Sequence, residues 1–285
     1  MAILFDSRLN TGSAWTRSGG SYGNGVDILA INQEITRYDA FTQEVDAERG
    51  LVWEINSIPE DLLVDKIRDE FSPPNSGVNA VGPPRDNSGT YMAKLTNLWY
   101  RWAIRLDPDW WFATNATKNS GDCVLFQCHD SPGTSSRVAP LHMILVNDVL
   151  ELRNSYSETV DYDRLLWRDT AVPGQWYTFV LNAYLDDSAP ATGYLRWWVN
   201  ERKLFTEDNG LNTYATFNSP GPWPKMGGIY YPHGMPSGFP GNRLRHEGMI
   251  VGDGYSSFDE FMIAAGLSVR ELERPASSCL MGIDE

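Results

Sequence analysis

The chain has 285 residues, of which 42% are hydrophobic and 12% aromatic, and a formal net charge of −14 at pH 7. That length and apolar content suffice for a sizeable core without disulfide or metal staples. The negative charge excludes a general nucleic-acid binder and a binder of anionic membranes, and it requires that basic groups serving an anionic ligand be gathered locally.

The N-terminal stretch "MAILFDSRLNTG" lacks the basic start and apolar segment of a signal peptide. No apolar run approaches the length of a membrane span. A helix is predicted over 58–71. Ser57 is its N-cap, Glu60 completes a capping box, and Pro59 sits in the first turn. Leu63, Val64, Ile67 and Phe71 then form an apolar stripe. A long loop rich in Pro, Gly, Asn and Ser is expected over 72–89. "NLWYRWAIRL" (97–106) alternates Leu98, Tyr100, Trp102, Ile104 and Leu106 against Trp99, Arg101, Ala103 and Arg105, a strand pattern. "VLFQCHDSPG" (124–133) ends an apolar run in polar groups and a turn. "PLHMILV" and "VLELRN" flank Asn147-Asp148 and read as a hairpin. "QWYTFVLNAYL" (175–185) and "YLRWWVN" (194–200) are two further strands joined by the turn-rich "DDSAPATG". A second long loop, dense in Gly and Pro, is expected over 218–254, followed by a closing strand over 256–269.

Many short strands, one helix and no βαβ rhythm describe an all-β sandwich or jelly roll with long loops. No linker divides the chain, so it reads as one domain over 1–285. N-terminal strands, the helix and a loop fill 1–90, and the sandwich core fills 91–270.

Strand parity sharpens the reading of the polar strand end. Cys123, Leu125, Gln127 and His129 fall on one face, and Val124, Phe126 and Cys128 on the other. The second face is apolar and is expected in the core. The first carries hydrogen-bonding and proton-transfer groups toward a groove. Cys123 and Cys128 lie on opposite faces and cannot pair, and Cys279 lies in a C-terminal tail. All three are read as free thiols, as in a reducing cytosol.

The order "WYRWAIRLDPDWW", "VLFQCHD", "PLHMILVNDVLELRN", "LLW…VPGQWYTFVLNAYL", "GYLRWWVNERKLF" and "WPKMGGIYY" resembles the polysaccharide-lyase jelly rolls related to heparin lyase I and glucuronan lyase, over roughly residues 90 to 270. The resemblance implies a concanavalin A-like two-sheet sandwich. It also implies an acidic uronate polysaccharide as substrate and cleavage by β-elimination. That reaction must neutralise the C5 carboxylate, remove the C5 proton and protonate the leaving oxygen. By the resemblance, Gln127 binds the carboxylate, His129 is the base, and Tyr230 or Tyr231 is the acid. Both tyrosines stand because "KMGGIYY" has one residue more than the family spacing between Lys225 and its aromatic partner. Lys225, Arg101 and Arg105 supply local positive charge. Asn182, Arg196, Trp198 and Asn200 are read as substrate contacts, with the tryptophan stacking on a pyranose ring. The Arg-x-Glu strand that the family carries early in the chain is not read in the first ninety residues.

Other residues take plainer readings. His142 is a satisfied strand histidine, His233 and His246 are solvated in the second long loop, and Trp110 and Trp111 are packing residues. No cofactor is expected. No Cys/His spacing suits zinc, and Ca²⁺, common in lectin-like sandwiches, has no ligand run here because "DNG" and "GDG" read as turns. A rival reading keeps the fold and drops the chemistry: a non-catalytic glycan-binding or structural virion protein, such as a phage decoration or tail component, whose partners include other virion proteins. The acidic charge, the cytosolic cysteine pattern, the missing export signal and the missing Arg-x-Glu strand favour this rival, as for a protein made in the cytoplasm and then released by lysis or held on a virion. A retaining glucanase would need facing carboxylates on one strand, as in E-x-D-x-x-E. "SFDEF" puts adjacent carboxylates on opposite faces.

Overall fold

Alternation of apolar and polar residues is realised in the computed structural model as antiparallel strands. The structure describes residues 1–6, 8, 21–23, 28–33, 41–58, 67–72, 97–114, 123–129, 141–155, 163–184, 193–200, 202–207, 223–230 and 236–267. Among these, the elements in chain order are β1 (Ala2–Asp6), β2 (Ser21–Gly23), β3 (Ile28–Gln33), β4 (Phe41–Asp46), β5 (Gly50–Ser57), β6 (Ile67–Ser72), β7 (Asn97–Leu106) and β8 (Cys123–His129). They continue as β9 (Leu141–Val146), β10 (Val149–Ser155), β11 (Asp163–Thr170), β12 (Trp176–Tyr184), β13 (Tyr194–Val199), β14 (Arg202–Glu207), β15 (Trp223–Tyr230), β16 (Asn242–Asp253) and helix α1 (Phe258–Ala264).

Two eight-stranded sheets form. The first runs β14-β13-β12-β7-β16-β5-β4, with β1 also paired to β16. The second runs β11-β10-β9-β8-β15-β6-β3-β2. The first sheet sends Tyr100, Trp102, Ile104, Phe179 and Trp197 into the shared core, and the second sends Leu125, Phe126, Met143, Leu145 and Leu152. Trp102 stacks on Phe126 at 4.3 Å between ring centroids, so the two inner faces meet directly. This is the expected all-β sandwich. The alternation over 97–106 holds: the five apolar residues at even positions all enter the core. The hairpin at Asn147-Asp148 also holds, with Asn147 in the left-handed region at φ 54°. Trp110 is buried in the core and Trp111 packs against it, as expected of packing residues.

Three expectations are corrected. The helix predicted over 58–71 fails at its C-terminal part, because 67–72 is strand β6, paired to β15 on one side and β3 on the other. Residues 59–66 lie outside the described residues. Two ladders of cross-strand hydrogen bonds outweigh a local capping signal. The long loop expected over 218–254 instead contains β15 and all of β16, and His246 within it is fully buried rather than solvated. The loop expected over 72–89 and His233 lie outside the described residues.

The closing strand expected over 256–269 is helix α1. Ser257 is the N-cap and its side chain accepts from the Glu260 backbone N–H, while the Glu260 carboxylate accepts from Ser256. Phe258, Phe261, Met262 and Ala265 follow helical spacing and cover Trp99, Val180, Trp198 and Ile250 on the outer face of the first sheet. Gly252 of β16 permits this approach, since a Cβ there would sit 2.8 Å from the Tyr255 ring and 2.9 Å from the Phe261 ring.

Candidate active site

Strand β8 departs from simple alternation. Its register against β9 shifts between Val124 and Phe126, the mark of a β-bulge. Leu125 and Phe126 therefore both enter the core, together with Cys123. Val124, expected in the core, is only half-buried and stands opposite Ile144. Phe126 is buried as expected. The bulge turns Cys123 and Leu125, expected beside Gln127, to the opposite side. Gln127 stands opposite His142, between Leu141 and Met143, both of which are core. Gln127 and His142 thus occupy the outer face of the second sheet, where both are largely buried. Cys123 is buried. The side chains of Cys128 and His129, and all of Cys279, lie outside the described residues.

The neighbouring strands bring the other site residues to β8. Lys225 of β15 stands in register with Gln127, and Trp223 with His129. Tyr230 stands opposite Cys123 and Ile229 opposite Val124. Tyr231 lies outside the described residues. On the far side of β15, strand β6 carries Arg68-Asp69-Glu70, with Glu70 opposite Gly227 and Arg68 opposite Ile229. An Arg-x-Glu pattern on an early strand, which the sequence reading did not find, is therefore present at Arg68-Asp69-Glu70. Its signal was present in "IRDEF", where Ile67, Asp69 and Phe71 alternate with Arg68 and Glu70, but the same residues also completed a helical stripe. Among the described residues, no group of three or more His, Cys, Asp or Glu side chains is placed to hold a metal ion.

The six residues read as substrate contacts or local charge on other strands do not join this site. Arg101, Arg105, Asn182, Arg196, Trp198 and Asn200 all belong to the first sheet or its turn, and each has structural work there. Arg101 is buried and its Nη2 meets Glu247 at 2.7 Å. Arg105 Nη2 meets Asp46 at 2.6 Å. Asn182 donates to Asn97 Oδ1 at 2.6 Å and to the Leu98 carbonyl at 3.0 Å. Arg196 lies over the Tyr194 ring at 4.3 Å and donates to Asn182 Oδ1. Trp198, read as a sugar platform, is roofed by Phe258 of α1 and packs on Trp99. The side chain of Asn200, in the left-handed region at φ 45°, accepts from the Thr178 backbone N–H. Parity alone could not tell which sheet a polar face belongs to, and these faces lie on the far side of the sandwich from Gln127.

The outer face of the first sheet is instead an ion-pair network. Arg245 donates to both Glu54 and Asp46, and Trp176 Nε1 also reaches Asp46. Burial would raise the Asp46 carboxyl, but the Glu48 backbone N–H, Trp176, Arg105 and Arg245 together hold it below the usual range. Glu247 occupies the point where β16 shifts register against β7, between His246 and Gly248, and Gly248 there has φ 104°. Burial would raise the Glu247 carboxyl too, but Arg101 and Arg49 bring it below its ordinary value. His246 stands in register with Trp53 and Ile104, both core residues. Burial, aided by Arg101 and opposed by Glu247, lowers its pKa from 6.5 to about 3, so the imidazole is neutral.

Comparison with known proteins agrees with this architecture. A family model described as polysaccharide lyase matches residues 84–246. Among curated proteins, none matches the chain. An endo-β-1,4-glucuronan lyase from the fungus Trichoderma reesei superposes with a TM-score of 0.57 at 15% identity, covering 90% of this chain and 97% of that one. The binding domain of botulinum neurotoxin DC, solved with rat synaptotagmin II, superposes with a TM-score of 0.52 at 10% identity, covering 93% of this chain and 52% of that one. An alginate lyase from Pseudomonas aeruginosa gives a TM-score of 0.46 at 16% identity, with 76% and 87% covered. The first two show the shared jelly-roll fold.

Proposed function

The chain belongs to the polysaccharide lyase family, and on that premise we propose that it cleaves an acidic, uronate-containing polysaccharide by β-elimination at the outer face of the second sheet. The observation that carries this reading is the register of β8, β15 and β6. It aligns Lys225 with Gln127 and sets the Arg68–Glu70 segment on the next strand. Residues from three distant parts of the sequence, each suited to one part of the chemistry, thereby converge on adjacent strands.

In this mechanism the Gln127 amide, with Arg68 and Lys225, neutralises the C5 carboxylate and so stabilises the carbanion-like transition state. His129 takes the C5 proton. Of the two tyrosines, the register favours Tyr231 as the acid that protonates the leaving oxygen, because Tyr230 stands opposite the core residue Cys123. Local cations offset the anionic chain's repulsion of an anionic substrate. The Arg-x-Glu pattern on β6 supports the catalytic reading over the non-catalytic rival.

The test is the ultraviolet absorbance of the unsaturated uronate product, followed on polyglucuronate, alginate and heparin-type chains. Wild-type protein should release it from at least one of them. His129→Ala should lose roughly 10²–10⁴-fold in rate while still binding the polymer, because a base contributes chiefly in the transition state. No product from any uronate polymer would overturn the reading.

A further inference from the structure

One cross-strand row extends beyond the residues used above. In register, Lys225 stands opposite Gln127, Gln127 opposite His142, and His142 opposite Arg153. The row crosses β15, β8, β9 and β10. Leu150 and Leu152 of β10 enter the core, so Glu151 and Arg153 occupy the outer face that Gln127 and His142 share. Arg153 keeps a side-chain exposure of 26% and is fixed in direction by Glu151, to which its Nε donates at 2.7 Å. Arg168, an exposed residue of β11, stands opposite Glu151. Two cations, Arg153 and Arg168, therefore flank the Glu151 carboxylate in a chain of net charge −14.

Spacing turns this row into a statement about substrate. Adjacent strands lie ~4.8 Å apart, so Arg153 stands roughly 10 Å from Gln127 across the sheet. One strand step is close to the length of one pyranose in an extended chain. A polysaccharide crossing the strands would thus meet one row position per sugar. In an extended 1,4-linked chain, alternate sugars turn their carboxylates to the same side. The carboxylate two sugars from the scissile residue then arrives at the position of Arg153.

We propose that Arg153, on a floor formed by His142, is an anion-reading subsite for the uronate two residues from the cleavage point, so that the enzyme selects runs of uronates over isolated ones. The guanidinium presents a planar fork of donors suited to a carboxylate. This inference rests on the lyase reading, and the experiment separates the two. Wild type, Arg153→Gln and Arg153→Lys are assayed on polyglucuronate for kcat and KM. The same three are then prepared in a His129→Ala background, and their binding to polyglucuronate and to its carboxyl-reduced form is measured.

Arg153→Gln should raise KM roughly tenfold or more with little change in kcat, the loss of one charge-assisted contact. Arg153→Lys should restore most of that loss. The binding defect should vanish on the carboxyl-reduced polymer, which also excludes a merely structural role. If wild type cleaves and Arg153→Gln has an unchanged KM, the subsite is refuted while the lyase reading stands. Equal losses on both polymers, or a fall in thermal midpoint matching the loss of activity, also refute it. If wild type cleaves nothing, the lyase reading itself fails.

Discussion

Mild acid should destabilise this protein through one buried histidine. His246 is fully buried beside Trp53 and Ile104, with a pKa of about 3 against 6.5 when unfolded. Below pH 6.5 the unfolded chain therefore binds a proton that the folded chain refuses. Stability is complete above the unfolded value and falls as the pH drops toward the folded one. The loss approaches 1.36 kcal/mol per pH unit, so moving from about pH 7.5 to about pH 5 should cost about 2 kcal/mol. The neighbouring groups do not obscure this window. Asp46 and Glu247 are held low, so their contributions are lost only at more acidic pH. The assay is urea unfolding at several pH values, with the midpoint shift read as free energy. His246→Gln, close in size and without a titrating ring, isolates the residue from the other histidines. It should unfold more easily at neutral pH yet show a shallower pH slope. An identical slope in wild type and variant would refute the argument, because the proton uptake would then belong elsewhere.

Trp198→Ala should lower stability by about 3 kcal/mol, the cost of emptying a site packed between Trp99 and Phe258, and leave the KM for polymer unchanged. A raised KM at unchanged stability would return Trp198 to the substrate. Arg101→Met should cost about 3 kcal/mol because it takes the nearer cation from the Glu247 carboxylate and leaves it the longer Arg49 contact, and adding Glu247→Leu should recover part of it. A double variant less stable than the single would contradict that account. Gly252→Ala should lower the thermal midpoint by displacing α1, at about 1–3 kcal/mol. An unchanged midpoint would mean that the Tyr255 and Phe261 rings yield without strain.

The strands with clean alternation were legible from the sequence alone, because each obeyed a local rule that tertiary packing did not contest. Leu98 to Leu106 buried every second residue, and the Asn147-Asp148 turn closed its hairpin. The convergence of Gln127 with Lys225 was implied by family resemblance and could not come from spacing, since about a hundred residues separate them. What the sequence left undecided were choices between equal local signals. Ser57-x-x-Glu60 and Ser257-x-x-Glu260 carry the same capping signature. The second caps α1, while the residues that would have formed the end of the first helix pair as β6 between β3 and β15. The difference lies in what each segment meets: two open strand edges compete for 67–72, whereas 258–264 meets an apolar sheet face that a helix covers well. The bulge in β8 is of the same kind. One extra residue reverses which side Cys123 and Leu125 face, and beyond it Phe126 stacks on Trp102 across the core. Which sheet a polar face belongs to is likewise a property of strand order. For that reason Arg101, Arg105 and Trp198 belong to the scaffold of one sheet while Gln127 lies on the outer face of the other.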